Sequence, residues 1–385
     1  MFARQTASAD LRASMACAEA AEHLPREYAS LLPDYTLAER LSEHYSVRRA
    51  DLLADRHQIL RLWRLITGGT APDGHKLDWF YLGNPAGRGT IYLLWHDPTD
   101  RAVGITCAGR RDILIGQTVV KGAVCGDLVI DPAHRGRGPA RRFRNCVLEH
   151  LRDEFDLFYA FPNERLAKGI AAAGPDFERE LYNLVLPLRI SEYLPRYMPK
   201  RLAAILGIPA QLVLDLILKA RIPRMTHEYV VSVADDAFLD ALWQSVSASR
   251  VSIGVRDSRF LNWRLRQHPS ADFSMFALVY SNGLPAGYVA YETDRDSRVV
   301  IVDVLSCGEA AFAACIKMFI RQMKKAGVRS ISVRKGTEPA SRLRLLKSLG
   351  FVVSERSRGF VFARANICQD LAGEMLYLNA IDSDV

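Results

Sequence analysis

The strongest constraint on this chain is an internal repeat of domain size. Leu62-Trp63 recurs as Leu242-Trp243, and Asp78-Trp79 with Pro85 recurs as Asn262-Trp263 with Pro269, six residues from Trp to Pro each time. Around these marks the same order of elements can be read in each half, offset by about 180 positions. A period that long belongs to whole domains rather than to stacked units of roughly 20–50 residues. The tryptophans themselves read as core packing, since buried aromatics dominate cores.

In the first copy a strand is expected over 45–49 and a helix over 51–66, where Leu52, Ile59, Leu62, Trp63 and Ile66 recur at helical spacing. A short helical stretch around Asp78 to Tyr81 stops at Pro85. Strands at 89–95 and 102–108 flank His96-Asp97-Pro98-Thr99-Asp100, a hairpin signal, and another strand covers 119–130. After a helix, the apolar run 155–161 fits a buried strand. A helix stopped by Gly174-Pro175 and a strand at 182–188 close the copy. The second copy runs through strands at 228–233, 275–280, 286–291, 299–305 and 328–333. Its helices hold Leu242, span 309–325 and end at Leu349-Gly350, and a strand pair runs through Phe362.

The two copies differ after their long strand. In the first, Asp127 to Ile130 is a β-prone run ended by Asp131-Pro132, followed by His134-Arg135-Gly136-Arg137-Gly138-Pro139-Ala140 and an arginine-rich helix. Gly136 and Gly138 allow torsions that let several amides converge, and Pro139 suits a first helical turn. Such a basic helix start suits a phosphate. The second copy has Ser306-Cys307-Gly308-Glu309-Ala310-Ala311 there, with one glycine, no arginine and an acid that would repel a pyrophosphate.

The first of these turns resembles the acyl-CoA site of the GNAT acyltransferase superfamily, whose signature is Arg/Gln-x-x-Gly-x-Gly/Ala after a strand. Pro139 departs from it, because proline has no N–H to offer the pyrophosphate. The order of elements and the phrase Phe161-Pro162-Asn163 also look like that superfamily. The resemblance implies an α/β fold of two GNAT-like domains in tandem, each a mixed, mostly antiparallel sheet flanked by helices. It implies a first domain at 44–190 that binds acyl-CoA and a second at 227–366 without the phosphate turn. A loose or helical extension (1–43), a basic helical connector (191–226) and a C-terminal tail (367–385) complete the division.

By the same resemblance Leu128, Val129 and Ile130 offer backbone to the pantetheine and the thioester carbonyl, and Arg135, Gly136, Arg137, Gly138, Pro139 and Ala140 hold the pyrophosphate. Arg141, Arg142 and Arg144 are candidates for the remaining phosphate. Asp127, Tyr159 and Asn163 stand where the family keeps acid, base or ligand contacts; Asn163 could equally cap the following helix. The implied reaction is acyl transfer, acetyl by default, from acyl-CoA to an amino sugar or small amine, without a covalent enzyme intermediate. An aminoacyl-tRNA-dependent transferase is a second reading, and a non-catalytic ligand-binding member a third. The intact first turn argues against tRNA as donor, so a nucleic-acid partner is not expected.

Charge and cysteines narrow the setting. A net charge of +8 favours acidic partners: CoA phosphates, an acyl carrier protein as donor, or an anionic membrane. The seven cysteines show no C-x-x-C pair and no metal spacing, which suits reduced thiols in a cytoplasmic protein, and no metal site is expected. Asp10, Arg12, Glu19 and Glu22 interrupt any signal-like apolar core. Residues 202–218 are strongly apolar and flanked by Arg196, Lys200, Arg201, Lys219, Arg221 and Arg224. They read either as a connector packed between domains or as a basic amphipathic surface that rests on a membrane or receives an acyl chain.

Overall fold

The computed structural model describes residues 38–66, 74–136, 139–190, 193–194, 198–222, 228–249, 251–337, 339–372 and 376–383. The first half runs β1 (Ala38–Ser42), β2 (Tyr45–Arg49), α1 (Arg56–Arg64), β3 (Thr90–His96), β4 (Arg101–Ile115), β5 (Thr118–Ile130), α2 (Pro139–Glu154), β6 (Leu157–Ala160), α3 (Glu164–Ala171) and β7 (Phe177–Pro187). A helix, α4 (Lys200–Arg221), follows. The second half runs β8 (Tyr229–Ser232), α5 (Asp236–Ser247), β9 (Ser252–Gly254), α6 (Ser258–Leu261), β10 (Phe273–Tyr280), β11 (Pro285–Thr293), β12 (Arg298–Ser306), α7 (Gly308–Lys325), β13 (Ser330–Gly336), α8 (Ala340–Leu349) and β14 (Val352–Ala363). It closes with α9 (Ala365–Ala372) and β15 (Leu376–Tyr377).

Element order follows the sequence pattern closely, with local differences. Strand β1, paired to β2, stands where a loose or helical extension is expected, and β9, α9 and β15 are further elements that the pattern does not mark. Helix α1 begins at Arg56 rather than near 51, because the Asp51 carboxylate accepts the amides of Leu53 and Ala54, both at 2.8 Å, and holds a turn there. The final strand pair is one long strand, β14.

All the described strands join one sheet, with β1-β2-β3-β4-β5-β6-β14-β7-β13-β12-β11-β10-β8 as its main path. It is mostly antiparallel; β5 and β6 pair in parallel, and β12 and β13 repeat this in the second half. The halves interlock. Strand β14, from the second, inserts between β6 and β7, and β7 in turn pairs with β13. The sheet is therefore continuous across the junction, and neither half has a free edge there.

The repeated tryptophans meet at this junction. Leu77–Leu82 and Asn262–Arg266 are π-helical turns, closed by Gly83 N–H to the Asp78 carbonyl (2.8 Å) and Gln267 N–H to the Asn262 carbonyl (3.0 Å). Trp79 and Trp263 stack with centroids 4.9 Å apart. Each indole N–H donates to the other's backbone carbonyl, at 3.1 and 3.2 Å. The contact is reciprocal, as expected of two copies related by an approximate twofold. Trp79→Phe removes one of these donors and is expected to cost about 1–2 kcal/mol in urea unfolding, with the fold retained.

Residues beyond β14 are built into the core. The turn Ala380–Asp382 buries Asp382, whose carboxylate accepts from Arg256 (2.6 and 2.9 Å) and Arg111 (3.1 and 3.2 Å). Arg256 also donates to Asp303 at 2.9 Å, and Asp303 accepts from Tyr288 (2.6 Å) and Asn379 (2.5 Å). Burial opposes ionisation of Asp382, but Arg256 and Arg111 outweigh it and hold the carboxyl below the usual carboxylate range. This ionic cluster joins β4, β12 and the C-terminal turn. No helix among the described residues is long and apolar enough to cross a membrane.

Candidate active site

Strands β5 and β6 are in register from Gly122 opposite Leu157 to Cys125 opposite Ala160, and there they part. Strand β6 ends at Ala160, and the chain turns through Phe161-Pro162-Asn163 into α3. Strand β5 continues to Ile130 but bulges: Ile105 faces Val129 and Cys107 faces Gly126, so Asp127 and Leu128 together oppose Thr106. Asp127 takes a left-handed backbone, φ +54°, which non-glycine residues adopt rarely. A bulge of this kind re-aims side chains and withdraws backbone groups from the ladder. A cleft of about 310 Å³ opens at the parting, lined among others by Gly126, Asp127, Leu128, Arg144, Phe161 and Asn163.

Two side chains hold Asp127 in place. Lys76 Nζ lies 2.9 Å from its Oδ2 and 3.0 Å from Oδ1, and the Tyr81 hydroxyl donates to Oδ2 at 3.1 Å. Both partners come from the first π-helical turn and the residue before it. Beside them the Cys107 thiol is pushed well up, by burial first and then by the Asp127 charge. Residue spacing marks neither Lys76 nor Tyr81 as a partner of Asp127, since neither a π turn nor a bulge leaves a periodic mark.

Outside the cleft lining, the turn after β5 is pinned by Asp131, whose carboxylate accepts Ala133 N–H at 3.1 Å. Gly136 has φ +75°, as a left-handed turn requires. Arg135 folds back, its Nε donating to the Ile130 carbonyl at 2.8 Å. Pro139 is buried at the first position of α2 and Ala140 follows it. Arg137 and Gly138 lie outside the described residues. Val129 and Ile130 are buried, while Leu128 lines the cleft.

The arginines of α2 separate by position. Arg141 is exposed, and Arg142 donates to the Leu41 carbonyl at 3.1 Å. Arg144 is half-buried in the cleft wall, with its Nη2 on Asn145 (3.2 Å) and its Nε without a hydrogen-bond partner among the described residues. Burial, and then the neighbouring Arg141, lower its pKa, the condition that an incoming anion would relieve. On α3, Gly169 leaves it space: a Cβ there would stand 2.9 Å from Arg144 Nη1.

The other two candidates divide. Asn163 lines the cleft and also caps α3, accepting Leu166 N–H at 3.1 Å. Tyr159 is fully buried on β6, away from the cleft lining, and its hydroxyl donates to the Asp382 carbonyl at 2.8 Å. Its pKa is pushed far up by burial and the Asp382 charge. His134 is likewise turned aside, its Nδ1 2.9 Å from the Tyr45 hydroxyl.

The second half repeats the geometry with different chemistry. Strands β12 and β13 pair from Arg298–Ser330 to Ile301–Val333 and then part, leaving a cavity of about 600 Å³. Gly308 has φ +87°, but Glu309 occupies the following position, ion-paired to Arg342 at 2.9 Å.

No family model matches the chain, and no curated protein does. Solved structures do. A GCN5-related N-acetyltransferase from Anabaena variabilis superposes with a TM-score of 0.57 at 12% identity, covering 82% of this chain and 72% of that one. Eis1 from Mycobacterium abscessus gives 0.51 at 12%, covering 83% and 73%. A tandem GNAT protein from the clavulanic acid biosynthesis pathway gives 0.50 at 15%, covering 82% of this chain and 98% of that one. At these identities the likeness is one of fold.

Proposed function

We propose that this chain, which has the tandem GNAT fold, is an N-acyltransferase whose first half binds an acyl-CoA and transfers its acyl group, acetyl by default, to an amine such as an amino sugar. The observation that carries this is the parting of β5 and β6 beside a cleft lined by Asp127 and by the half-buried Arg144. The pantetheine would run along Leu128, Val129 and Ile130, with the pyrophosphate at residues 135–140 and a further phosphate oxygen at Arg144.

In the transfer, the amine nitrogen bonds to the thioester carbonyl carbon, the C–S bond breaks, and the thiolate leaves with the sulfur's electron pair. Asp127 is the group placed to take the amine's proton, and Lys76 and Tyr81 fix its orientation. The bulge at Asp127–Leu128 supplies backbone N–H groups for the carbonyl oxygen. Asn163 holds the cleft rim and contacts the pantetheine or the acceptor. Tyr159 acts by positioning: it ties β6 to the C-terminal turn. The same cleft would accept the phosphopantetheine arm of an acyl carrier protein, and an anionic membrane is the other partner that the charge supports. The second half, with Glu309 at its turn, forms walls and an interface. A cytoplasmic setting fits this chemistry.

The test is release of free thiol from acetyl-CoA with a panel of amines. Arg144→Gln is expected to raise KM for acyl-CoA about 10- to 100-fold with kcat little changed, the value of one charge-assisted hydrogen bond. No release with any amine and any acyl-CoA would refute the proposal.

A further inference from the structure

Helix α4 buries one stripe, Ala203, Gly207 and Leu218, and turns a second apolar stripe outward; Leu218 and the following Ile222 join the core formed by β7, β10 to β13, α7 and α8. Ile205, Ile208, Leu212, Val213 and Leu216 are each 58–72% exposed. Isolated exposed aliphatics are ordinary; a run of them along one helix face is not. The orientation is fixed by side chains. Gln211 donates to the Leu188 carbonyl (3.0 Å) and accepts Ile190 N–H (2.9 Å), which presents the apolar stripe outward.

The charges on this helix are one-sided. Asp215 is its only acid, and Lys324 pairs with it at 2.8 Å and holds its carboxyl below the usual range. Lys200 and Arg201 open the helix and Lys219 and Arg221 close it; Arg201, Lys219 and Arg221 are exposed. From Leu202 to Ile217 the apolar strip is about 24 Å long at 1.5 Å per residue. Cations bracket it at both ends. A second copy laid along this helix, parallel or antiparallel, would set like charges together at each end, whereas an anionic surface complements both.

We propose that α4 is a docking surface for an anionic lipid bilayer, lying in the plane of the interface with its outer stripe in the acyl region and its terminal cations among the headgroups. This surface does not depend on the acyl-CoA cleft, and the two readings can fail separately.

The experiment is co-sedimentation of the full chain with vesicles of phosphatidylcholine alone or mixed equally with phosphatidylserine, with circular dichroism melts to verify folding. Binding to the mixed vesicles is expected, falling as salt rises, and at least about tenfold weaker on phosphatidylcholine alone. Leu216→Asp should abolish it, and Lys219→Glu with Arg221→Glu should weaken it about tenfold or more. No binding to either vesicle, or equal binding by folded Leu216→Asp, would overturn the proposal. So would a dimer in sedimentation equilibrium that Leu216→Asp dissociates, which would assign the face to a second copy.

Discussion

Arg256→Met is expected to lower the unfolding free energy by about 3–5 kcal/mol, the usual cost of removing one partner from a buried ion cluster. Arg256 is fully buried and bridges Asp303 and Asp382, themselves buried, so its loss leaves Asp303 without its cation and Asp382 with Arg111 alone. Arg111 reaches only Asp382, and Asp303 would keep just the Tyr288 and Asn379 donors. The cluster spans both halves, so urea unfolding should show one shifted transition rather than the loss of one half. It also sets a pH dependence. Asp382 is depressed in the folded chain, so its contribution is complete above the unfolded carboxylate pKa of about 3.9 and is lost as pH falls through the lower folded value. Arg256→Met should therefore flatten the acid side of the stability profile. An unchanged acid limb would mean that other carboxylates govern acid unfolding.

Asp127→Asn is expected to reduce kcat by about 10²- to 10⁴-fold, the usual worth of a positioned base, with acyl-CoA affinity nearly unchanged. The amide keeps the shape that meets Tyr81 and Lys76 but cannot take a proton. A parallel fall in acyl-CoA affinity would indicate that the bulge had collapsed; full activity would move the base elsewhere. Raising pH should restore part of the activity of the variant if it has lost only proton acceptance, because more of the amine is then already deprotonated.

Much of the architecture is legible in residue spacing, because strands and helices that bury one face carry their period in the sequence. Leu62-Trp63 against Leu242-Trp243 marks the repeat, while the cleft is lined by Gly126 to Leu128 on β5 rather than by the glycine turn that follows. What spacing cannot show is which strand pairs with which. The exchange of β14 and β7 leaves both strands as apolar as they would be in separate sheets. The same limit hides the site's support: Lys76 and Asp127 are 51 residues apart, and Arg111 and Asp382 are 271 apart. These pairs exist only after folding. Tyr159 shows the converse case, a residue at a suggestive sequence position whose hydroxyl is committed to the C-terminal turn. In α4 the apolar run is plain, but its outward direction depends on Gln211 bonding to Leu188 and Ile190, just beyond β7.

On this proposal acyl-CoA enters the first-half cleft and not its counterpart beside Glu309. Thermal unfolding with and without acetyl-CoA tests it most directly, in the wild type and in Arg144→Glu and Glu309→Ala. At 100 times its dissociation constant a ligand adds about 2.7 kcal/mol to the folded state. That stabilisation is expected in the wild type and in Glu309→Ala, and its loss in Arg144→Glu. Stabilisation that survives Arg144→Glu and disappears in Glu309→Ala, or none in any of the three, would contradict it.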